Sequence, residues 1–138
     1  MKTVALLPMK AISERVSGKN FREFGGKPLF KWILDTLLNI EDIDQIIINT
    51  DAKKLLKDNG LEDNKKILIR DRKTEICGHL VSMNLIISDD IKNVDADIYL
   101  MTHTTNPLLQ KATIEESISK FKLALANKSA DSLFTVDK

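Results

Sequence analysis

Short apolar stretches alternate with amphipathic stretches along the whole chain, and no other feature constrains the possible fold as strongly. The apolar stretches have the length and the β-branched content of buried strands, whereas the amphipathic ones repeat apolar residues at helical spacing. Strands that alternate with helices predict a mostly parallel sheet, right-handed crossovers and helices on both faces. We therefore expect an α/β fold.

The apolar runs and the turn residues set the boundaries of the predicted elements. The predicted strands are Thr3–Met9, Asp44–Asp51, Lys66–Ile69, Ala96–Met101 and Ser132–Val136. The predicted helices are Pro28–Ile40, Ala52–Asn59, Gly78–Ile91 and Thr113–Asn127. Asp51 is a candidate N-cap of the second helix, and Gly60 is a candidate stop. The long segment Lys10–Lys27 is predicted to be a loop.

Length and charge narrow the class of protein. With 138 residues, the chain is predicted to form one domain, residues 1–138. The net charge is +1, so we expect neither nucleic acid nor an anionic membrane as a partner. No apolar stretch approaches the roughly 20 residues that span a bilayer. The single cysteine, Cys77, excludes an intramolecular disulfide, and the start of the chain lacks a signal-peptide layout, so we expect a cytoplasmic protein.

The polar loop after the first strand carries three cations within ten residues, Lys10, Arg15 and Lys19. A buried strand followed by a basic loop presents backbone N–H groups and cations to phosphate in many α/β proteins. Parallel sheets bind ligands beyond the carboxyl ends of their strands, which is where this loop begins. We therefore expect a local anion site at this loop.

Several common site motifs are excluded. Gly18-Lys19 is followed by Asn20 rather than by Ser or Thr, so the loop is not a Walker A motif. The sequence contains no GxGxxG, HExxH, paired CxxC or GxSxG. His79 and His103 are the only histidines, which excludes a His-rich metal site and argues against a Ser-His-Asp triad.

Four segments, in order along the chain, resemble the acylneuraminate cytidylyltransferases (CMP-sialic acid synthetases) and are similar also to the Kdo cytidylyltransferases. The first is Leu7–Asn20 (LPMKAISERVSGKN), continued by Phe24–Leu29 (FGGKPL). The others are Asn49–Asp51 (NTD), Ile76–Asn84 (ICGHLVSMN) and Thr102–Leu109 (THTTNPLL). Several motifs in register are far more specific than one glycine-rich loop.

The chain departs from the family pattern in two residues and in its extent. His79 stands where the family usually has Asp, and Leu109 stands where many relatives have Arg. Family members also continue well beyond the point where this chain stops. The resemblance therefore covers their N-terminal part. We expect either a chain that is truncated at its C-terminal end or an intact but altered protein.

The resemblance implies a three-layer Rossmann-like nucleotidyltransferase fold and an enzyme. A sugar hydroxyl would attack the α-phosphate of CTP, CMP would join a sialic-acid-like sugar acid, and pyrophosphate would leave. Mg²⁺ and cationic side chains would stabilise the charge on the triphosphate. The implied partners are CTP, the sugar acid and, in the full-length protein, a second copy in a homodimer. The metal ligands stay unidentified.

The resemblance also assigns roles to individual residues. Catalytic roles go to Lys10, Arg15 and Lys19. Nucleotide contacts go to Leu7, Pro8, Met9, Lys10, Lys19, Asn20, Arg72 and Ser82. Ribose and sugar contacts go to His103, Thr105 and Asn106.

Simpler alternatives stay open for these residues and for the chain. Arg15 and Lys19 could be solvated loop charges, and Arg72 lies in a charged run that is usually a solvated face. Asp51 could cap a helix rather than bind a metal. The chain could also be a CTP- or CMP-binding module that does not catalyse, or a structural or regulatory half that pairs with an active partner.

Overall fold

The computed structural model describes residues 1–9, 19–72 and 83–134. In chain order its elements are β1 (Thr3–Leu6), a 3-10 helix (Lys19–Phe21), β2 (Glu23–Phe24), β3 (Lys27–Pro28), α1 (Leu29–Leu38), β4 (Gln45–Thr50), α2 (Lys53–Asp58), β5 (Ile67–Asp71), α3 (Met83–Asn93), β6 (Ile98–Met101) and α4 (Lys111–Ala126). No helix among these residues is both long and apolar enough to cross a bilayer.

The main sheet is parallel throughout, with the strand order β5-β4-β1-β6. Val4 of β1 is level with Gln45 on one side and with Tyr99 on the other. The chain builds outward from β1 through β4 to β5, and then crosses to the opposite side of β1 to form β6. The strand order therefore reverses between β1 and β6, which is where such sheets bind ligands. The predicted parallel sheet is confirmed.

Helices cover both faces of the sheet, as predicted. On one face, α1 and α4 share a large apolar cluster with the sheet. On the other face, a smaller cluster joins Val94, at the end of α3, to Val4, Leu6 and Ile47. Because β4 is buried on both faces, its sequence is continuously apolar from Ile46 to Ile48. The three layers place the carboxyl ends of β1, β4, β5 and β6 along one edge.

Helix α1 follows from its apolar spacing. Phe30, Ile33, Leu34 and Leu37 are its buried residues, which is the stripe that a helix needs to pack on a sheet. Pro28 precedes the first helical residue, where its missing N–H costs no hydrogen bond.

The predicted loop Lys10–Lys27 is wrong in its second half, because β2 and β3 form an antiparallel hairpin there. Gly25 and Gly26 make the turn with φ of +60° and +96°, which suits the type of tight turn that needs positive φ at both positions. A Cβ atom on Gly25 would lie 2.9 Å from the Trp32 ring. The Trp32 indole N–H donates to the Phe24 carbonyl at 2.6 Å, so the hairpin is fixed to α1.

The ends of α2 correct one prediction and confirm another. Asp51 does not cap the helix, because the N-cap position is Ala52 and no side chain makes a cap hydrogen bond. Instead, the Thr50 hydroxyl accepts the Ala52 N–H at 2.9 Å. Gly60 does end the helix, with φ of +102° and with its N–H donating back to the last turn.

Two further boundaries differ from the prediction. In the predicted strand Ser132–Val136, residues 132–134 are not a strand, and the rest lies outside the described residues. The predicted start of the third helix, at Gly78, also lies outside them. Within α3, the apolar residues Met83 and Leu85 are 41% and 53% exposed.

Candidate functional site

The carboxyl edge of the sheet brings several sequence-predicted site residues together. The Met9 N–H donates to the Asn49 carbonyl at 3.0 Å, and the Arg72 N–H donates to the Thr50 carbonyl at 2.8 Å. On the other side of β1, Thr102 donates to the Leu6 carbonyl through its N–H and its hydroxyl, each at 2.9 Å. The candidate residues after β1, β5 and β6 therefore share one edge, at the point where the strand order reverses.

Leu7, Pro8 and Met9 follow β1 and are all buried as whole residues. The Leu7 N–H donates to the Ile47 carbonyl at 2.9 Å, and the Met9 N–H is also bonded to β4. Proline has no N–H. Any ligand contact from this stretch therefore falls to its carbonyl groups.

Arg72 is buried and cross-links the ends of two strands. Its Nε donates to Asn49 Oδ1 at 3.1 Å, and its Nη2 donates to the Asn49 carbonyl at 3.0 Å and to the Met9 carbonyl at 3.2 Å. A guanidinium is never neutral in proteins, so these bonds compensate a buried charge. Arg72 thus lies inside the sheet edge rather than on a solvated face.

Asn49 continues this arrangement toward α3. Its Nδ2 donates to Asp90 Oδ1 at 2.9 Å, and both side chains are buried. Arg70 donates to the same Asp90 oxygen at 2.6 Å and forms an ion pair with Asp89 at 3.1 Å. We call Arg70, Arg72, Asn49 and Asp90 the polar network.

The electrostatic balance at Asp90 has opposing causes. Burial raises the pKa of the Asp90 carboxyl above its ordinary value, because a low-dielectric interior disfavours the charged form. The hydrogen bonds from Asn49 and Arg70 favour the charged form and oppose that rise.

A second buried contact joins the loop after β6 to the 3-10 helix. The Thr104 hydroxyl donates to Asn20 Oδ1 at 2.6 Å, and both residues are buried. Because Oδ1 accepts this bond, the amide of the predicted nucleotide residue Asn20 has a fixed orientation. The two loops that flank the end of β1 are therefore linked directly.

The three predicted sugar-side residues, His103, Thr105 and Asn106, are all exposed on the loop after β6. A cavity of about 460 Å³ opens between β6 and α4, and His103, Thr102 and Thr113 are among the residues that line it. Small-molecule sites usually have volumes of about 300–1,000 Å³. His103 therefore borders a space of suitable size.

Part of the predicted site cannot be placed. Lys10, Arg15 and Ser82 lie outside the described residues, and so does the side chain of Lys19. The catalytic roles assigned to Lys10, Arg15 and Lys19 stay predictions.

A metal site built wholly from side chains is not found in residues 1–9, 19–72 and 83–134. Over these ranges, no group of three or more His, Cys, Asp or Glu side chains could hold a metal ion. Asp51, which follows β4, and Asp71, which ends β5, are both exposed. The expected Mg²⁺ stays a prediction.

Sequence reasoning assigned no site role to Asn49, Arg70 and Thr104, although they lie in the segments at the strand ends, and it missed Asp90 altogether. A signal for Asp90 was available, because it lies four residues from Ile86 and four from Val94 on the buried side of α3. An aspartate at an apolar position of a helix indicates a buried polar partner.

The sequence matches the family described as Cytidylyltransferase over residues 4–137. The chain belongs to the cytidylyltransferase family. The resemblance seen in the motifs is thereby confirmed at the level of the family.

Individual relatives are more distant. A pseudaminic acid cytidylyltransferase from Campylobacter jejuni is 23% identical over 126 residues, which cover 88% of this chain and 53% of the relative. A CMP-N,N'-diacetyllegionaminic acid synthase from Legionella pneumophila is 34% identical over 55 residues, which cover 40% of this chain and 24% of the relative. The chain thus spans about half the length of the pseudaminic acid enzyme.

Solved structures of cytidylyltransferases share the fold. A CMP:2-keto-3-deoxy-manno-octonic acid synthetase complexed with CTP matches with a TM-score of 0.70 at 19% identity, over 91% of this chain and 49% of that one. A cytidylyltransferase from Leptospira borgpetersenii matches with a TM-score of 0.68 at 18% identity, over 89% and 50%. The predicted nucleotidyltransferase fold is confirmed.

Proposed function

We propose that this chain is the nucleotide-binding part of a cytidylyltransferase that transfers CMP from CTP to a sialic-acid-like sugar acid and releases pyrophosphate. The observation that carries the proposal is the place of the candidate residues. In a chain of the cytidylyltransferase family, Met9, Arg72 and the loop after β6 lie along one edge, at the switch point between β1 and β6.

The chemistry of the base suits the end of β1. The exocyclic amino group of cytosine is a hydrogen-bond donor, so it needs an acceptor such as a backbone carbonyl oxygen. The Leu7 and Met9 N–H groups are bonded to β4, so this stretch offers acceptors rather than donors. We propose that its carbonyl groups help to select cytosine.

The phosphates would lie over the basic loop that follows Met9. Lys10, Arg15 and Lys19 are the cations proposed to stabilise the charge that develops as pyrophosphate leaves. We propose that Mg²⁺ arrives with the triphosphate, because Mg²⁺ often binds through substrate phosphates and few carboxylates. The sugar acid would approach from the side of His103, Thr105 and Asn106.

One assay tests this proposal. The chain is incubated with CTP, MgCl₂ and a panel of eight- and nine-carbon sugar acids, and pyrophosphate release is followed with and without EDTA. We expect release with at least one sugar acid, its loss in EDTA, and at least tenfold slower release for Lys19→Ala. A chain that neither binds CTP nor responds to Lys19→Ala contradicts the proposal.

A second candidate is a module that binds CTP or CMP without catalysis. The buried contacts at this edge would serve nucleotide binding with or without catalysis, so the geometry suits this candidate as well. Calorimetric binding of CTP without pyrophosphate release would support this candidate over the enzyme. We also propose a cytoplasmic homodimer for the full-length protein, which sedimentation of that protein would test.

A further inference from the structure

We propose that Asp90, which lies on α3 away from the candidate ligand groups, is a positioning residue for the nucleotide site. This inference rests on the proposed function, because it assigns a role toward CTP. The route runs from Asp90 through Asn49 and Arg72 to the Met9 carbonyl, the last described group before the basic loop.

The polarity of this route is fixed at both ends. Asp90 in its ionised form can only accept hydrogen bonds, and Arg72 can only donate them. Asn49 lies between them and can do both. It therefore must turn Nδ2 toward Asp90, at 2.9 Å, and Oδ1 toward Arg72 Nε, at 3.1 Å.

This polarity determines where Arg72 lies. With Asn49 Oδ1 and the Asn49 carbonyl both accepting from the guanidinium, Nη2 is placed 3.2 Å from the Met9 carbonyl. Pairing with β4 continues past β1 through the Leu7 and Met9 N–H groups, and it ends in a bridge between Met9 and Thr50. The Arg72 contact is therefore a side-chain anchor on the carbonyl of the last residue that is paired with β4 before the basic loop.

Burial makes this arrangement rigid. Asn49 is 0% exposed and Asp90 is 1% exposed, so water cannot substitute for a lost partner without cost. Arg70 holds Asp90 from the side of β5 at 2.6 Å, which leaves the carboxylate little freedom to turn. A change at Asp90 is thus transmitted to the start of the basic loop.

The test measures CTP affinity by calorimetry in MgCl₂, on the full chain, at a temperature where each variant is folded by circular dichroism. Asp90→Asn is nearly isosteric but no longer forces Asn49 to present its amide nitrogen. We expect a Kd at least fivefold higher than that of the wild type. Asp90→Leu, which removes the acceptor, is expected to raise the Kd at least tenfold.

Two further variants separate positioning from stability. Val94→Ala weakens the apolar cluster at the end of the same helix without touching the polar network, and its Kd should stay within twofold of the wild type. The double variant Asn49→Asp, Asp90→Asn exchanges the two side chains, but it puts a donor at the atom of residue 90 that also faces Arg70, at 2.6 Å in the wild type. Because two donors would then face each other, the Kd should stay at least fivefold above that of the wild type.

The outcomes are distinct. If the wild type binds CTP and both Asp90 variants stay within twofold, the positioning role is overturned and the proposed function stands. If Val94→Ala raises the Kd as much as Asp90→Asn, the effect is general destabilisation and the inference is also overturned. If the wild type does not bind CTP, both the inference and the proposed function fail.

Discussion

The two faces of the sheet are built differently near the carboxyl edge. On the face covered by α1 and α4, the interior stays apolar up to the strand ends, where Met9, Ile48 and Leu7 are buried in the main cluster. On the face covered by α3, the apolar cluster is small, and the polar network takes its place toward the edge. The first face supplies most of the stability through burial, whereas the second fixes orientations through directional bonds.

This comparison teaches that stability and site geometry are largely separable in this fold. Apolar contacts are non-directional and tolerate small shifts, but a hydrogen bond is lost when its partner turns away. Substitutions on the first face should therefore unfold the protein without changing ligand affinity in the folded fraction. Substitutions in the polar network should change affinity by more than their cost in stability suggests.

The largest expected effect is at Phe30 on the α1 face. Phe30 is 0% exposed and its ring packs edge-on against Phe21, with centroids 6.2 Å apart. Phe30→Ala should lower the free energy of unfolding by about 4 kcal/mol, because it removes a large apolar surface and leaves a cavity. Urea denaturation measures this, with the 63% exposed Leu123→Ala as a control expected within about 0.5 kcal/mol of the wild type. If Phe30→Ala lowers the free energy of unfolding no more than the control does, the claim that the α1 and α4 face supplies most of the stability is contradicted.

The next effect is at Arg72 in the polar network. Arg72→Met keeps an unbranched apolar stem but removes three hydrogen bonds to Asn49 and Met9. We expect a loss of about 2–3 kcal/mol in the free energy of unfolding, together with at least tenfold weaker CTP binding. Arg72→Lys is the matched variant. It should recover only part of the stability and only part of the CTP affinity, because an ammonium lacks the forked donor geometry of a guanidinium. Full recovery by Lys would show that charge alone matters at this position.

A smaller effect is expected at Val94 on the α3 face. Val94→Ala removes two methyl groups from the cluster with Val4, Leu6 and Ile47, at about 0.8 kcal/mol each. The expected loss is about 1.5 kcal/mol in the free energy of unfolding, measured by urea denaturation. A loss as large as that of Phe30→Ala would mean that the two faces contribute equally to stability.

The smallest effect is the pH dependence contributed by Asp90, because the bonds from Asn49 and Arg70 partly offset its burial. Burial raises the pKa of Asp90 in the folded state, so the folded protein holds this proton more tightly than the unfolded chain does. Its stabilising contribution is therefore complete below the ordinary Asp value of about 4 and is lost as the pH rises through the raised pKa. The charged groups that face it are Arg70 and Asp89.

The measurement compares the free energy of unfolding of the wild type with that of Asp90→Asn at several pH values. The wild type should lose stability relative to the variant as the pH rises from about 4. Val94→Ala carries no titratable change, so its difference from the wild type should not vary with pH. A constant difference for Asp90→Asn as well would contradict the raised pKa.

The sequence predicted the helices and strands whose burial follows a regular pattern along the element. The apolar run of β4 reflects a strand that is buried on both faces, and the helical spacing of α1 reflects a helix that is buried on one face. The predicted bounds of both elements lie within two residues of the observed ones. The β2/β3 hairpin was missed, because each of its strands has only two residues and its stability comes from Trp32 rather than from its own pattern. Asp51 was predicted to cap α2, but the N-cap position is Ala52 and no side chain makes a cap hydrogen bond, a detail of local geometry that the sequence pattern does not fix.

By itself, the sequence determined the parallel α/β fold and the family, because periodicity and ordered motifs are local properties, and it predicted the edge at which a ligand should bind. Only the tertiary structure decided how that edge is held together. Arg72 appeared as one cation in a charged run, and its burial against Met9 and Asn49 depends on strand ends more than twenty residues away. Asp90 appeared as one of two aspartates on a helix, and only the crossover of α3 onto the sheet places its carboxylate against Asn49. Local patterns predict which residues are buried, whereas the partner of a buried polar group is set by the packing of distant elements.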